Sequence, residues 1–201
     1  GGYGGSGGGI YDFGIGSAFS TTTIAYNSSG VGGNGNKTLV KGGTGGKRTG
    51  NGNTGTHGAD SGNGSDGGRG LGGVVAYEDR QISLTNSIIA GNAPSDCAGS
   101  GTIAANNYNL ASDSSCPGAT IAPPDVSTWL SPLANHGGPT DTMMPLAGSP
   151  AINAGNRAGN PGETDQRGLS RAGNGPVDAG AVEVQWICVT AIAKSAERFY
   201  S

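Results

Sequence analysis

Five charged residues near one end of the chain, Asp165, Arg167, Arg171, Asp178 and Glu183, form the group available for acid–base chemistry. Paired carboxylates carry acid–base work on a glycosidic bond. A base beside a sugar carboxylate abstracts the proton that begins lyase cleavage. The same residue types also tie chain segments together through charge-assisted hydrogen bonds. The five lie in a closing segment, away from the strand-like runs along which a sugar would bind, so the structural role is the expected one. Asp165 with Arg167 or Arg171 is expected to hold that segment shut, and no catalytic residue is assigned.

Other reactive side chains are sparse. Cys97 and Cys116 have a spacing that suits a disulfide worth roughly 3 kcal/mol for such a loop, the alternative being two buried thiols. A disulfide would point to an oxidising compartment. Cys188 is left over. His57 sits in a glycine-rich stretch, and His136 in Asn-His-Gly-Gly-Pro reads as a turn residue rather than a general base. No H-E-x-x-H pair occurs. Gly58-Ala-Asp60 and Gly64-Ser-Asp66 resemble calcium repeats only loosely, being six residues apart and without a core-plugging apolar residue. No metal or cofactor is expected.

What must position these residues follows from composition and repetition. Glycine fills 42 of 201 positions, 33% of residues are hydrophobic and 12% charged, so a compact two-layer core would be thin. A solenoid buries few apolar residues per turn and tolerates that composition. The formal charge of −3 gives no basic face for nucleic acid. The patch Lys37, Lys41, Lys47 and Arg48 reads as solvated loop charge. Trp186 to Ala193 is too short to cross a bilayer, so no transmembrane segment is expected, and no signal peptide is visible at Gly1. If the protein is exported, the chain reads as a mature form or a fragment.

The segment 7–27 aligns without gaps on 72–92. Ile10 falls on Val75, Phe19 on Leu84, Ile24 on Ile89, Ala25 on Ala90 and Asn27 on Asn92. Each copy holds two short strand-like runs separated by a turn and ends in Ala-x-Asn. Ile82 and Leu84 alternate with polar residues, as in a half-buried strand. Asparagine tolerates left-handed corners and can stack in ladders. A third turn is expected over Gly101–Leu110, with Ile103 inward and Tyr108 or Leu110 closing it. The expected organisation is all-β: a right-handed parallel β-helix over 1–122 with a glycine-rich insert at 32–73, an irregular C-terminal cap at 123–184 and a tail at 185–201. The insert holds 18 glycines in 42 residues and reads as a flexible loop or as packed polyproline-like strands. Asp125–Leu130 is expected to form one helical turn.

Several motifs in order carry a resemblance. They are Thr85-Asn-Ser-Ile-Ile-Ala-Gly-Asn92, Asp96-Cys97, Tyr108-Asn-Leu110, Ser114-Ser-Cys116, Pro132-Leu-Ala-Asn-His-Gly-Gly-Pro-Thr140 and Pro145-Leu-Ala-Gly-Ser-Pro-Ala-Ile-Asn-Ala-Gly155. Thr164-Asp-Gln-Arg-Gly-Leu-Ser-Arg171 and Pro176-Val-Asp-Ala-Gly-Ala-Val-Glu183 complete them. Together, over roughly 72–184, they resemble the end of bacterial surface proteins of the choice-of-anchor Q domain family, related to polymorphic outer-membrane-type β-helix repeats. The resemblance implies an exported right-handed parallel β-helix, extracellular or on the cell surface, joined in different relatives to different anchors. It ends at Glu183, and 184–201 holds no sorting motif or cleavage signal.

Three functions compete at this point. The leading one is a non-catalytic structural or adhesive module whose partners are surface glycans or other cells. Its contact would be the insert or the Thr/Asn faces, with Ser20, Thr21, Thr22 and Thr23 as a candidate ligand face. The alternative is a fragment of a polysaccharide lyase or hydrolase, or a carbohydrate-binding module. Ice binding needs flat threonine arrays on several turns, and only Thr21–Thr23 offers one.

Overall fold

The computed structural model describes residues 7–12, 16–30, 72–76, 78–105, 108–159, 164–171 and 176–185. Most of the expected insert lies outside them, including Lys37, Lys41, Lys47, Arg48, His57, Asp60 and Asp66, as does the tail with Cys188.

Among the described residues the chain is almost entirely β, with no α-helix. Strands β1 (Gly7–Asp12), β2 (Ser17–Ser20) and β3 (Thr23–Ala25) form a first unit. The second unit is β4 (Gly72–Ala76), β5 (Gln81–Thr85) and β6 (Ile88–Ala90). The third is β7 (Cys97–Ala98), β8 (Thr102–Ala104) and β9 (Leu110–Ala111), followed by β10 (Thr120–Ile121). Each unit gives one strand to each of three sheets, ordered β1-β4-β7, β2-β5-β8 and β3-β6-β9-β10, with every pairing parallel.

The register follows the repeat in two sheets. Phe19 faces Leu84, Ile24 faces Ile89 and Ala25 faces Ala90. The first sheet departs from it: Ile10 pairs with Val74, not Val75, because a bulge lies between Gly7 and Ile10. The reason is which side is buried. Val74 and Ala76 belong to the interior cluster, and the bulge brings Ile10 into line with them. That interior also takes Ile24, Ile82, Leu84, Ile89, Cys97, Ile103 and Ala111. Leu110, expected to close a turn, instead extends the third sheet by pairing with Ile88.

Corners recur with the same backbone in successive units. Thr21 and Asn86 share φ 50°, while Tyr26 and Gly91 have φ 56° and 66°. Polar side chains run along these corners and satisfy the backbone groups exposed there. Asn92 Oδ1 accepts from both the Asn27 backbone N–H and Asn27 Nδ2, each at 3.0 Å. Asn92 Nδ2 in turn donates to the Ile24 carbonyl and to buried Asp96. Asp96 continues the ladder by accepting from Ser112 and Asp113. At the other corner Ser87 Oγ accepts from Thr22 N–H, and Asn109 Oδ1 accepts from Ser87 N–H.

Past Ala122 the chain leaves the strands but not the stack. Asp125 caps a 3-10 turn, Val126–Thr128, by accepting from Ser127 N–H. Trp129, Leu130, Ala151 and Ala179 then pack on Ile88, Ala90 and Leu110, the outward-facing side chains of the third sheet. Expected as a plug for the end of the column, the segment is instead a flank along its side. Ile121, paired with interior Ala111, is 55% exposed at the column's end. The outer face of β6 and β9 is apolar, and water is excluded from it only if something lies there. Contact is close: Gly180, at φ 93°, sits where a Cβ would strike Ile88 and Thr23, and its N–H donates to the Asn86 carbonyl.

Candidate functional site

The five charged residues come together where the flank closes on itself. Arg167 forms a two-pronged pair with Asp165, Nε at 3.0 Å and Nη2 at 2.8 Å from Oδ2. Asp165 also accepts from the backbone N–H groups of Arg167, Leu169 and Glu183. Burial works against its charged form, yet these bonds outweigh it and hold the carboxyl below its usual 3.8. Arg171 pairs with Glu183 Oε2 at 3.3 Å, and its Nη2 donates to the Gly180 carbonyl. Burial pulls the Arg171 guanidinium down from its ordinary value, opposed by Glu183, Asp165 and Asp178.

Asp178 behaves differently. Its oxygens accept from Asn153 and Val184 N–H, at 2.8 and 2.7 Å. Burial is the larger influence and raises its carboxyl above 3.8, with the neighbouring Glu183 charge adding to the effect. The arrangement takes up each carboxylate in holding backbone, and all three are buried. An acid–base pair for glycoside cleavage must reach a substrate, and these groups face the protein.

His136 Nδ1 lies 2.9 Å from the Thr142 carbonyl oxygen, inside a turn bracketed by the Ala134–Thr142 bridge. Its Nε2 is 3.5 Å from Ser131 Oγ, but that hydroxyl donates to the Pro132 carbonyl and accepts from Met144 N–H. With a carbonyl on the far ring nitrogen, the pair lacks the carboxylate-oriented geometry of acyl transfer. Cys97 and Cys116 form a disulfide. It joins the first-sheet strand of the third unit to the loop before β10. Among the described residues no group of three or more His, Cys, Asp or Glu could hold a metal ion, and no helix is long and apolar enough to cross a membrane.

Ser20–Thr23 do not make a flat face. They turn the corner between β2 and β3, with Thr21 in left-handed backbone and Thr22 Oγ1 donating to the Ser20 carbonyl. A strand face needs alternate residues in extended backbone, and this run holds a corner at Thr21. Thr23 alone lies on the third sheet, where its hydroxyl accepts from Ala181 N–H at 3.0 Å.

Two concavities open beside it. A groove of about 680 Å³ runs between β3 and the flank, walled by Thr23, Ala25, Tyr26 and Asn27 on one side and by Leu130, Leu133, Asp141, Met143 and Gln166 on the other. A smaller hollow, about 320 Å³, shares Thr23, Gln166 and Ala181 with it and reaches Thr21, Thr22, Asp165 and Arg171. The structure thus brings the threonine corner and the charged cluster to neighbouring walls. Sequence reasoning missed Tyr26, Asp141 and Gln166. The signal for Tyr26 was available, because the repeat places it on Gly91, where the two copies differ most in size.

Comparison with family models, with curated proteins and with solved structures gave no match for this chain.

Proposed function

We propose that the chain is a module of an exported right-handed parallel β-helix of the choice-of-anchor Q kind, extracellular or on the cell surface. It acts as a non-catalytic adhesive scaffold whose partners are surface glycans or other cells. The observation that carries this reading is the parallel pairing of equivalent strands from successive units in three separate sheets. A chain that returns to each sheet by a long crossover does so almost always with right-handed connections. The Cys97–Cys116 disulfide fits an oxidising compartment. Buried carboxylates committed to backbone groups favour a scaffold over a hydrolase or lyase.

The test is to incubate purified protein with bacterial and host cells and with an array of glycans, and in parallel with polysaccharides under a reducing-end assay. Attachment without cleavage is expected. Oligosaccharide release, or no attachment to any cell or glycan, would contradict the reading.

A further inference from the structure

Tyr26 marks where the stacked units differ. At the equivalent corner the second unit has Gly91, and both residues adopt left-handed backbone. Glycine takes that conformation freely, whereas a bulky aromatic residue is strained in it. Strain of this kind, kept at a side chain that contributes little to a core, points to function. Tyr26 is 54% exposed. One side of it is backed by the second unit: a Cβ on Gly91 would lie 3.1 Å from Cδ1 and Cε1, with Val126 beside it. The absence of a side chain at Gly91 is what makes room for the ring.

Across the groove stands Leu133, 66% exposed. Thr23, Gln166 and Asp141 also line this gap, with Gln166 Nε2 donating to Thr140 Oγ1. Thr23 Oγ1 accepts from Ala181 N–H, which leaves its own proton to donate. An apolar platform with a few polar groups at its rim matches a pyranose ring, whose C–H faces are apolar and whose edge carries hydroxyls. Asp141 is the charged residue in this wall, and a carboxylate repels sugar acids.

We propose that the groove is a subsite for a neutral pyranose unit of an oligosaccharide, with Tyr26 as its stacking platform. The proposal rests on the glycan-facing surface reading above and adds the site and the sugar class. Calorimetric titration with cellohexaose, maltohexaose, xylohexaose and N-acetylchitohexaose, with hexagalacturonate as the acidic control, tests it. At least one neutral oligosaccharide is expected to bind, and the acidic one at least about tenfold more weakly. Tyr26→Ala should weaken binding about tenfold or more, and Tyr26→Phe by no more than about threefold. Tyr26→Asn separates function from folding, since asparagine suits left-handed backbone. It should melt no lower than the natural protein yet bind as poorly as Tyr26→Ala. Failure of every neutral oligosaccharide to bind, or undiminished binding by Tyr26→Ala, would overturn the proposal. Cell attachment undiminished in Tyr26→Ala would overturn this site while leaving the adhesive module standing.

Discussion

Asp165 does more to hold the flank than any other single side chain described. One carboxylate takes three backbone N–H groups and the Arg167 fork, with its own side chain fully buried. Removing it leaves a buried guanidinium without its partner, and losses of that kind run to about 3–5 kcal/mol. Asp165→Ala should therefore lower the unfolding free energy by about that amount in urea titrations, read by fluorescence of buried Trp129. The pH dependence has a definite sign. A carboxyl held below 3.8 contributes stability that is complete above that pH and is lost as acid carries the solution through its folded value. Asp178, raised above 3.8, works the other way: its contribution is full below 3.8 and fades as pH rises through the folded value. Of these two carboxylates, Asp165 is the one whose contribution acid removes. As pH falls below 3.8 through the folded value, Asp165→Asn should lose less stability than the natural protein in urea titrations; parallel losses would refute the assignment.

At the scale of elements, the strands are too short to stand alone, some only two or three residues long. What fixes them is neighbouring units, polar corners and one covalent tie. The Cys97–Cys116 bridge closes a loop with a sequence separation of 19, which in the chain-entropy account is worth about 3 kcal/mol. Cys97→Ser with Cys116→Ser should cost that much in denaturant melts, and a loss under about 1 kcal/mol would show that the corner ladders alone hold the third unit. Much at this scale was legible beforehand. The pairings Phe19–Leu84 and Ile24–Ile89 follow from apolar positions that recur at one spacing. The first-sheet bulge was not legible, because Ile10 lies beside alternative apolar partners, Val74 and Val75, and a one-residue slip shows only in which face is buried.

At the scale of the molecule, the side-on flank is the feature that sequence reasoning placed elsewhere. Trp129 and Leu130, inside the segment expected as a cap, were recognisable as part of a cover, but not what they cover. The clue lay in the strand: Ile88-Ile-Ala90 is apolar at every position, whereas Ile82 and Leu84 alternate with polar residues. A continuous apolar strand is buried on both faces. The charged residues could be grouped from sequence because they lie within one short stretch, whereas their pairing, Arg167 with Asp165 and Arg171 with Glu183, shows only in the fold. The groove was not, because its walls come from residues more than a hundred positions apart, Tyr26 and Gln166 among them.

Adjacent isoleucines give the most direct test of this arrangement. In a methyl NOESY spectrum Ile89 should show cross-peaks to Ile24, its neighbour in the interior, while Ile88 shows them to Gly180 in the flank. Cross-peaks from Ile88 to Ile24, or an Ile88 methyl open to solvent relaxation agents, would contradict a column of stacked units with the C-terminal segment laid along its side.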